Sequence, residues 1–517
     1  MCQVLSQRHS EGPRGLLGAQ RRAQELDALA GDRVDVLVIG GGVTGCGVAL
    51  DAASRGLSVA LIEKCDLAHG TSRWSSKLVH GGLRYLASHD WALVFESARE
   101  RDVLLRRTAP HLVRPLPMVM PLGHDLRARD GLMVDLGHRL GDAFRVAAGT
   151  PRGALPRSRR LGLPETTRLL PGVARDGLRG GLLNWDGQLE DDARLVVALA
   201  RTAASHGARV ITRANALSAD GDGADVRDEL TGTTLRVGAR AVVNATGAWA
   251  DGLAPESRLR PSKGVHVVLE AWTLGNPTAA MTVPVPGHPN RWVFALPHPD
   301  GLIYVGLTDD PLDGPLPEVP RAEEAEIAFL VSTLSRGLQR PLARADVVGS
   351  FAGVRPLLAG AQGATADLSR RHAVVLGDSG LLTVLGGKLT TYRRMAQEVV
   401  DRLTERPCRT RDLPLVGAVG EFPRGVPGRL VRRYGAEAGA VAALADGDPS
   451  LLRPVASGVP VLGVELAWGV HAEGALTVDD LLERRTRLSL VDAWAEVARP
   501  AAERAIARAG EVAIGAR

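Results

Sequence analysis

At 517 residues, 45% hydrophobic and 23% charged, the chain has the balance of a folded globular protein of about three domain-sized pieces, which excludes disordered and fibrous classes. Its net charge of +5, from 63 basic against 58 acidic residues, is spread along the sequence as a solvated surface and not as a nucleic-acid footprint, although a peripheral hold on anionic lipid uses the same excess. No stretch reaches the roughly 18 apolar residues of a membrane-spanning helix, and Cys2, Cys46, Cys65 and Cys408 fit neither a disulfide framework nor a metal box, so a reducing, cytoplasmic location and no metal site are expected.

The first 31 residues read as a frayed extension with a short helix around Arg21 to Leu29 and no signal peptide. Asp35 to Ile39 is a continuous apolar run, the pattern of a strand buried on both faces of a parallel sheet. It leads into Gly40-Gly-Gly-Val-Thr-Gly45, a helical stretch from Cys46 to Ser54 ended by Gly56, and a second strand from Leu57 to Glu63. In this βαβ unit Gly40 makes the tight turn, Gly42 lets the backbone approach a pyrophosphate, and Gly45 lets the helix pack closely. Glu63 is placed to accept from ribose hydroxyls, and the lack of a basic residue before it argues against a 2′-phosphate, though Lys64 follows. A glycine-rich structural turn is the competing reading, but the strand, helix and acidic residue in the right order favour a dinucleotide site.

The next segment, from Thr71 to Tyr85, is dense in hydroxyls, glycines and cations. Its hydroxyls and amides can satisfy a pyrophosphate, and Gly81 and Gly82 permit close approach to a flat ring. Residues Arg127 to Arg160 are rich in Gly, Pro and Arg and read as an irregular excursion. Helical patterns lie between Asp191 and Ser205, between Ala322 and Leu338, and from Thr390 to Leu403. Strand signals recur at Ala208 to Thr212, Ala241 to Ala245, Trp292 to Leu296, Leu302 to Gly306 and Ala373 to Leu376. From Pro407 onward the pattern is Ala-rich and helical, and no internal repeat is found. Lysine occurs at only four positions, Lys64, Lys77, Lys263 and Lys388, against an abundance of arginine, and three of the four fall inside candidate motifs.

The run Ser75-Ser-Lys-Leu-Val-His-Gly-Gly-Leu-Arg-Tyr-Leu86 resembles the signature of FAD-dependent glycerol-3-phosphate dehydrogenases of the aerobic, quinone-linked type. Matching segments follow in order: Asp191-Asp-Ala-Arg-Leu195, Val243-Asn-Ala-Thr-Gly247, Lys263-Gly-Val-His266, Gly353-Val-Arg-Pro-Leu357 and Gly386-Gly-Lys-Leu-Thr-Thr-Tyr392. The resemblance covers residues 33 to 405, and more loosely Asp479 to Leu488. Val265, where the family more often has a small polar residue, and the N-terminal extension depart from the pattern, and no calcium-binding loop is present.

The fold this implies is α/β: a glutathione-reductase-like FAD-binding domain of the glycine/D-amino-acid oxidase group, with an inserted α+β substrate or cap domain and a helical C-terminal domain. The expected boundaries are residues 1–31 for the extension, 32–105, 170–250 and 345–405 for the FAD-binding domain, 106–169 and 251–344 for the cap, and 406–517 for the C-terminal domain.

The implied reaction is oxidation of sn-glycerol 3-phosphate to dihydroxyacetone phosphate, with hydride accepted at FAD N5 and electrons leaving to a quinone. An oxidase of the same group, using oxygen on glycerol 3-phosphate or an amino acid, is the alternative. Arg84 and Arg355 are the candidates for binding the phosphate, because a guanidinium meets it with a fork of donors. His266 is the first choice of base and His80 the second. Lys388, beside a helix N-terminus that starts near Thr390, is expected to supply positive charge to the reduced ring. Tyr85 and Tyr392 offer hydroxyls or packing. The resemblance places FAD against Gly40, Gly42, Thr44, Gly45, Glu63, Lys64, Thr71, Ser72, Ser75, Ser76, Lys77, Gly81, Gly82, Leu83, Ala214, Ala245, Thr246, Gly247, Gly387, Lys388, Leu389 and Thr390. Implied partners are glycerol 3-phosphate and a quinone, with peripheral association on the inner face of the cell membrane and a homodimer as further expectations.

Overall fold

The computed structural model describes residues 13–82, 90–123, 128–257, 259–288, 291–358 and 371–515. The apolar run at its start forms the strand Arg33–Ile39, flanked in parallel by Val59–Glu63 on one side and Thr234–Asn244 on the other. Arg209–Thr212 extends this sheet beyond Val59–Glu63, and Leu382–Gly386 extends it beyond Thr234–Asn244, both in parallel. His372–Leu376 closes the edge antiparallel to Leu382–Gly386, and the hairpin Ala214–Asp220 and Gly223–Asp228 pairs back onto Thr234–Asn244. The central strands are apolar at nearly every position because both faces are covered, one by helices and the other by the hairpin Ala214–Asp220 and Gly223–Asp228 together with the helix Ala19–Leu29. On one face the helices Val43–Ser54 and Asp192–Ser205 pack with Tyr392–Asp401.

Gly40 and Gly45 make the closeness of strand and helix possible. Gly40 has φ +113°, and a Cβ there would lie 2.6 Å from the Ala245 carbonyl oxygen, while a Cβ on Gly45 would overlap the carbonyl oxygen of Gly40. In both cases the obstacle is backbone, which cannot swing aside. Gly45→Ala is therefore expected to cost about 3 kcal/mol through overpacking. Thermal melts and the flavin-to-protein ratio of the purified variant check this, and both should fall together.

A second, larger sheet stands beside the first. Its strand order is Asp310–Pro311, Ser262–Glu270, Leu302–Gly306, Trp292–Pro297, Ala280–Pro284, Val113–Pro121, Gly181–Leu189 and Leu78–Val79. Val347–Arg355 pairs with Ser262–Glu270, and Arg159–Leu161 with Gly181–Leu189. The helix Glu324–Ser335 covers one face of this sheet through Ile327, Leu330 and Leu334. The expected architecture, a parallel dinucleotide-type sheet with an inserted mixed-sheet layer and a helical C-terminal region, is thus the one observed. Two segments expected in the first domain, Gly181–Leu189 and Val347–Arg355, instead lie in the second sheet. Gly181–Leu189 pairs antiparallel with Val113–Pro121, and Val347–Arg355 antiparallel with Ser262–Glu270, so both belong to the mixed sheet and not to the parallel core.

Three local expectations are corrected. Residues expected to form an irregular excursion include the twenty-residue helix Ala128–Ala147. The strand Leu382–Gly386, short and bounded by glycines, was not foreseen. The extension is not frayed in its described part: Leu26 and Leu29 of the helix Ala19–Leu29 are buried against Val34 and Leu37. Arg22 donates to the Thr212 carbonyl at 2.7 Å and pairs with Asp228, and the Leu17 amide donates to the Ala472 carbonyl at 3.0 Å.

The C-terminal helices Gly428–Tyr434, Ala438–Ala443, Gly463–His471 and Asp492–Gly515 carry their own apolar clusters. They are fastened to the first domain by buried ion pairs. Asp66 accepts from Arg484 at 2.7 Å and from Arg485 at 2.8 and 2.9 Å, while Arg194 pairs with Glu473 and Arg433 with Asp191 at 2.9 Å. Burial works against the Asp66 carboxylate, but the two guanidinium groups hold its pKa well below the usual range.

Candidate active site

A single cavity of about 1440 Å³ lies between the two sheets and is lined by residues of both. Its floor at one end is the glycine loop and the start of the helix Val43–Ser54, whose N-cap, Gly42, makes no side-chain capping bond. The Val43 amide is met by Ser72 Oγ at 2.9 Å. A Cβ on Gly42 would meet only that same hydroxyl, at 3.2 Å, so the space above the loop is open to a ligand. Glu63 accepts from the Gly41 amide at 2.6 Å and the Cys65 amide at 2.8 Å, which fixes its carboxylate at the loop. Burial pushes the Glu63 carboxyl up and these two amides pull it down. Each of its oxygens retains a lone pair for a ribose hydroxyl.

These residues fit the ADP half of a dinucleotide: open space at Gly42, a helix N-terminus for phosphate charge, and an anchored carboxylate. Gly40, Gly42, Thr44, Glu63, Lys64, Thr71, Ser72, Ser75, Ser76, Ala214, Ala245, Thr246 and Gly247 all line the cavity, as do Gly387, Lys388, Leu389 and Thr390 at the far end. Gly386 and Gly387 adopt φ of +71° and +83°, turning the chain so that the turn Leu389–Thr391 and the helix behind it begin at the cavity wall. Thr390 Oγ1 is buried there without a hydrogen-bond partner among the described residues, an orphan that a bound group can satisfy.

His266 lies mid-strand with Ser76 Oγ 2.8 Å from its Nε2, and its ring stacks on Phe351 at 4.7 Å and 9°. Gly306 on the neighbouring strand makes room for the ring, since a Cβ there would overlap His266 Cδ2. Burial above all, then the charges of Lys77 and Arg355, lower the His266 pKa well below 6.5. The imidazole is therefore neutral at physiological pH and able to take a proton.

Arg355 ends the strand Val347–Arg355 opposite Ser262. Its Nη1 donates to Asp309 Oδ1 at 3.0 Å and its Nη2 to the Thr308 carbonyl at 3.0 Å, so the fork is held in one orientation. Gly264 is small for the same reason, because a Cβ there would overlap the guanidinium. Lys388 donates to Ser97 Oγ at 2.6 Å. His80 lines the same cavity.

Other expected residues fall elsewhere. Lys77 is turned behind the site: it is buried 3.4 Å from Asp192 and lies over the rings of Phe351 and Tyr304 at 4.6 and 5.1 Å. Burial brings its pKa down to about 8 against the pull of Asp192. Gly81 does not open onto the cavity; its amide donates to Asp186 Oδ1 at 2.9 Å, and the space at its Cα is filled by Arg101, with Nη1 at 2.5 Å from a would-be Cβ. Gly82, with φ +78°, continues that turn, and Gly45 serves packing alone. Tyr392 is buried against Gly47 and is a core residue. Arg84, Tyr85 and Leu83 lie outside the described residues.

Sequence reasoning missed Asp309, Thr308 and Ser97, which orient Arg355 and Lys388 from distant segments without a local pattern. It also missed the helix Ala128–Ala147, where Met133, Leu136 and Leu140 line the cavity. The four-residue spacing of Leu132, Leu136 and Leu140 was a legible signal.

The chain is similar to known proteins in sequence and in fold. A family described as "FAD dependent oxidoreductase" matches residues 35–393, and one described as "C-terminal domain of alpha-glycerophosphate oxidase" matches residues 382–512. The chain is 52% identical to glycerol-3-phosphate dehydrogenase 1 of Mycobacterium tuberculosis over 92% of its own length and 95% of that protein. It is 39% identical to glycerol-3-phosphate dehydrogenase 2 of the same organism, over 92% and 85%. The solved structure of glycerol-3-phosphate dehydrogenase from Bacillus halodurans complexed with FAD superposes with a TM-score of 0.71 at 29% identity, covering 94% of each chain.

Proposed function

The chain belongs to the FAD-dependent oxidoreductases and, among them, to the glycerol-3-phosphate dehydrogenases, and from that membership we propose that it oxidises sn-glycerol 3-phosphate to dihydroxyacetone phosphate and passes the electrons to a quinone. One observation carries the reading: a neutral imidazole, a forked cation and a dinucleotide loop line one cavity. FAD, bound along that cavity, supplies the two-electron acceptor. Arg355 holds the substrate phosphate, with Arg84 as its proposed companion, and His266 takes the proton of the secondary hydroxyl. Ser76 keeps the imidazole aimed. The second phosphate cation distinguishes this reading from an amino-acid oxidase, for which one arginine on a carboxylate would suffice.

The quinone part of the proposal is supported by the helix Ala128–Ala147. Leu132, Met133 and Leu136 are 61%, 67% and 50% exposed, and Met133 and Leu136 also line the cavity, an apolar strip suited to an apolar acceptor and to a peripheral hold on a bilayer surface. Among the described residues no helix is long and apolar enough to cross a membrane. An anaerobic titration tests substrate and cofactor together: flavin absorbance should bleach with glycerol 3-phosphate and not with glycerol. Bleaching by both would remove the phosphate assignment, and stoichiometric peroxide in air would move the chain to the oxidases.

Lys388→Arg is expected to lower turnover about tenfold, or about 1.4 kcal/mol, with flavin still bound. The ammonium donates to Ser97 Oγ at 2.6 Å, a compact charge that a broad planar guanidinium does not present to the same point. Lys64→Arg, whose side chain is 58% exposed, should stay near wild-type turnover in the same assay.

A further inference from the structure

Cys65, His69 and Glu318 meet at the adenosine end of the cavity, and the dehydrogenase reading gives them no task. Cys65 and His69 follow the strand Val59–Glu63, whereas Glu318 comes from the connection between Asp310–Pro311 and the helix Glu324–Ser335. Each offers one ligand atom, and the three atoms lie within 4.8 Å of one another. Cys65 Sγ is 3.8 Å from Glu318 Oε1. Both ring nitrogens of His69 are shielded from solvent, yet neither has a hydrogen-bond partner among the described residues. Two orphaned nitrogens on one shielded ring call for a partner that protein groups do not supply.

We propose that Cys65, His69 and Glu318 form a binding site for one divalent transition-metal ion of the zinc class, tying the 312–323 connection to the FAD-binding segment. The donor set selects the ion: thiolate with imidazole suits zinc or cobalt, whereas magnesium and calcium require oxygen ligands. Tetrahedral zinc with bonds of about 2.0–2.3 Å holds its ligand atoms about 3.5 Å apart. The Cys65–Glu318 separation is already close to that value, and because all three atoms lie within 4.8 Å, side-chain adjustments of about 1 Å bring the set to it. Three protein ligands leave a fourth position for water.

Neutral imidazole is the ligating form of histidine, and both nitrogens of His69 are without a hydrogen-bond partner among the described residues. The Cys65 thiol gives its proton to solvent as the metal–sulfur bond forms. Lys64, Arg73, Arg213 and Arg484 oppose a cation here, while Glu63, Glu318 and Glu483 favour it.

The test is zinc binding to the purified flavoprotein, stripped by chelator and dialysed against micromolar Zn²⁺ alone, with metal and flavin both measured per chain. One zinc per flavin is expected. Cys65→Ser and His69→Ala should each weaken binding about tenfold or more, and Cys408→Ser should leave it unchanged. Cobalt in place of zinc should add a thiolate charge-transfer band that Cys65→Ser removes. Glu318→Gln, on an exposed side chain, decides the matter if the other two variants lose flavin: weaker binding supports the site. Zinc binding that is absent, or equal in wild type and Glu318→Gln, overturns it. Because the readout is bound metal, the outcome is separate from whether glycerol 3-phosphate bleaches the flavin.

Discussion

Replacing His266 by alanine is expected to lower turnover with glycerol 3-phosphate about 10²- to 10⁴-fold, the range for loss of a positioned general base, with flavin content unchanged. The ring touches the cavity through a hydrogen-bonded edge and is held on its faces by Phe351 and Gly306. It is thus oriented without being in the dinucleotide groove, so removing it should spare flavin binding. The pH dependence carries an independent signature. A histidine whose pKa lies well below 6.5 stays neutral as pH falls through 6.5, so kcat/KM should hold across that value and decline only at lower pH. Flavin bleaching followed by stopped flow under nitrogen measures both. A larger loss in His80→Ala than in His266→Ala would transfer the role to His80, the other imidazole in the cavity.

The parts of this site that were legible in the sequence are those written locally. Gly40, Gly42, Gly45 and Glu63 sit within one strand–helix–strand unit; Gly45 is explained by the Gly40 carbonyl a few residues away and Gly42 by open space for the ligand, whereas the contact that requires Gly40, the Ala245 carbonyl, comes from a distant segment. His266, Arg355 and Lys388 were legible only through motif resemblance, because what places them together is register between strands far apart in the chain.

Lysine scarcity drew attention to Lys388, which lines the cavity, and equally to Lys77, which does not. A buried ammonium stacked on Phe351 and Tyr304 beside Asp192 has the same sequence signature as a ligand-binding one. The helix Ala128–Ala147 was hidden because glycine and arginine dominate its composition, while its periodic leucines face a cavity and solvent and not a core. The anchoring of the C-terminal helices by Asp66, Arg484 and Arg485 joins residues more than four hundred positions apart, and no local pattern announces it.

Arg355→Ala is expected to cost about 2–4 kcal/mol in kcat/KM for glycerol 3-phosphate, through loss of a charge-assisted contact to phosphate. The variant has a second effect that must be separated from the first. Arg355 is the partner of Asp309, whose side chain is only 9% exposed, and truncating one member of a buried pair leaves an uncompensated charge. Arg355→Ala should therefore also lower the melting temperature. Adding Asp309→Asn removes the stranded charge, so the double variant should recover much of that thermal stability. Its kcat/KM should stay low, because no cation has been returned to the phosphate. Gly264→Ala gives the complementary test: the guanidinium keeps its charge but is pushed out of place by the new methyl group. If Arg355 binds the phosphate, Gly264→Ala should raise KM for glycerol 3-phosphate while leaving the flavin bound. Recovery of kcat/KM along with stability in the double variant would reduce Arg355 to a structural partner of Asp309.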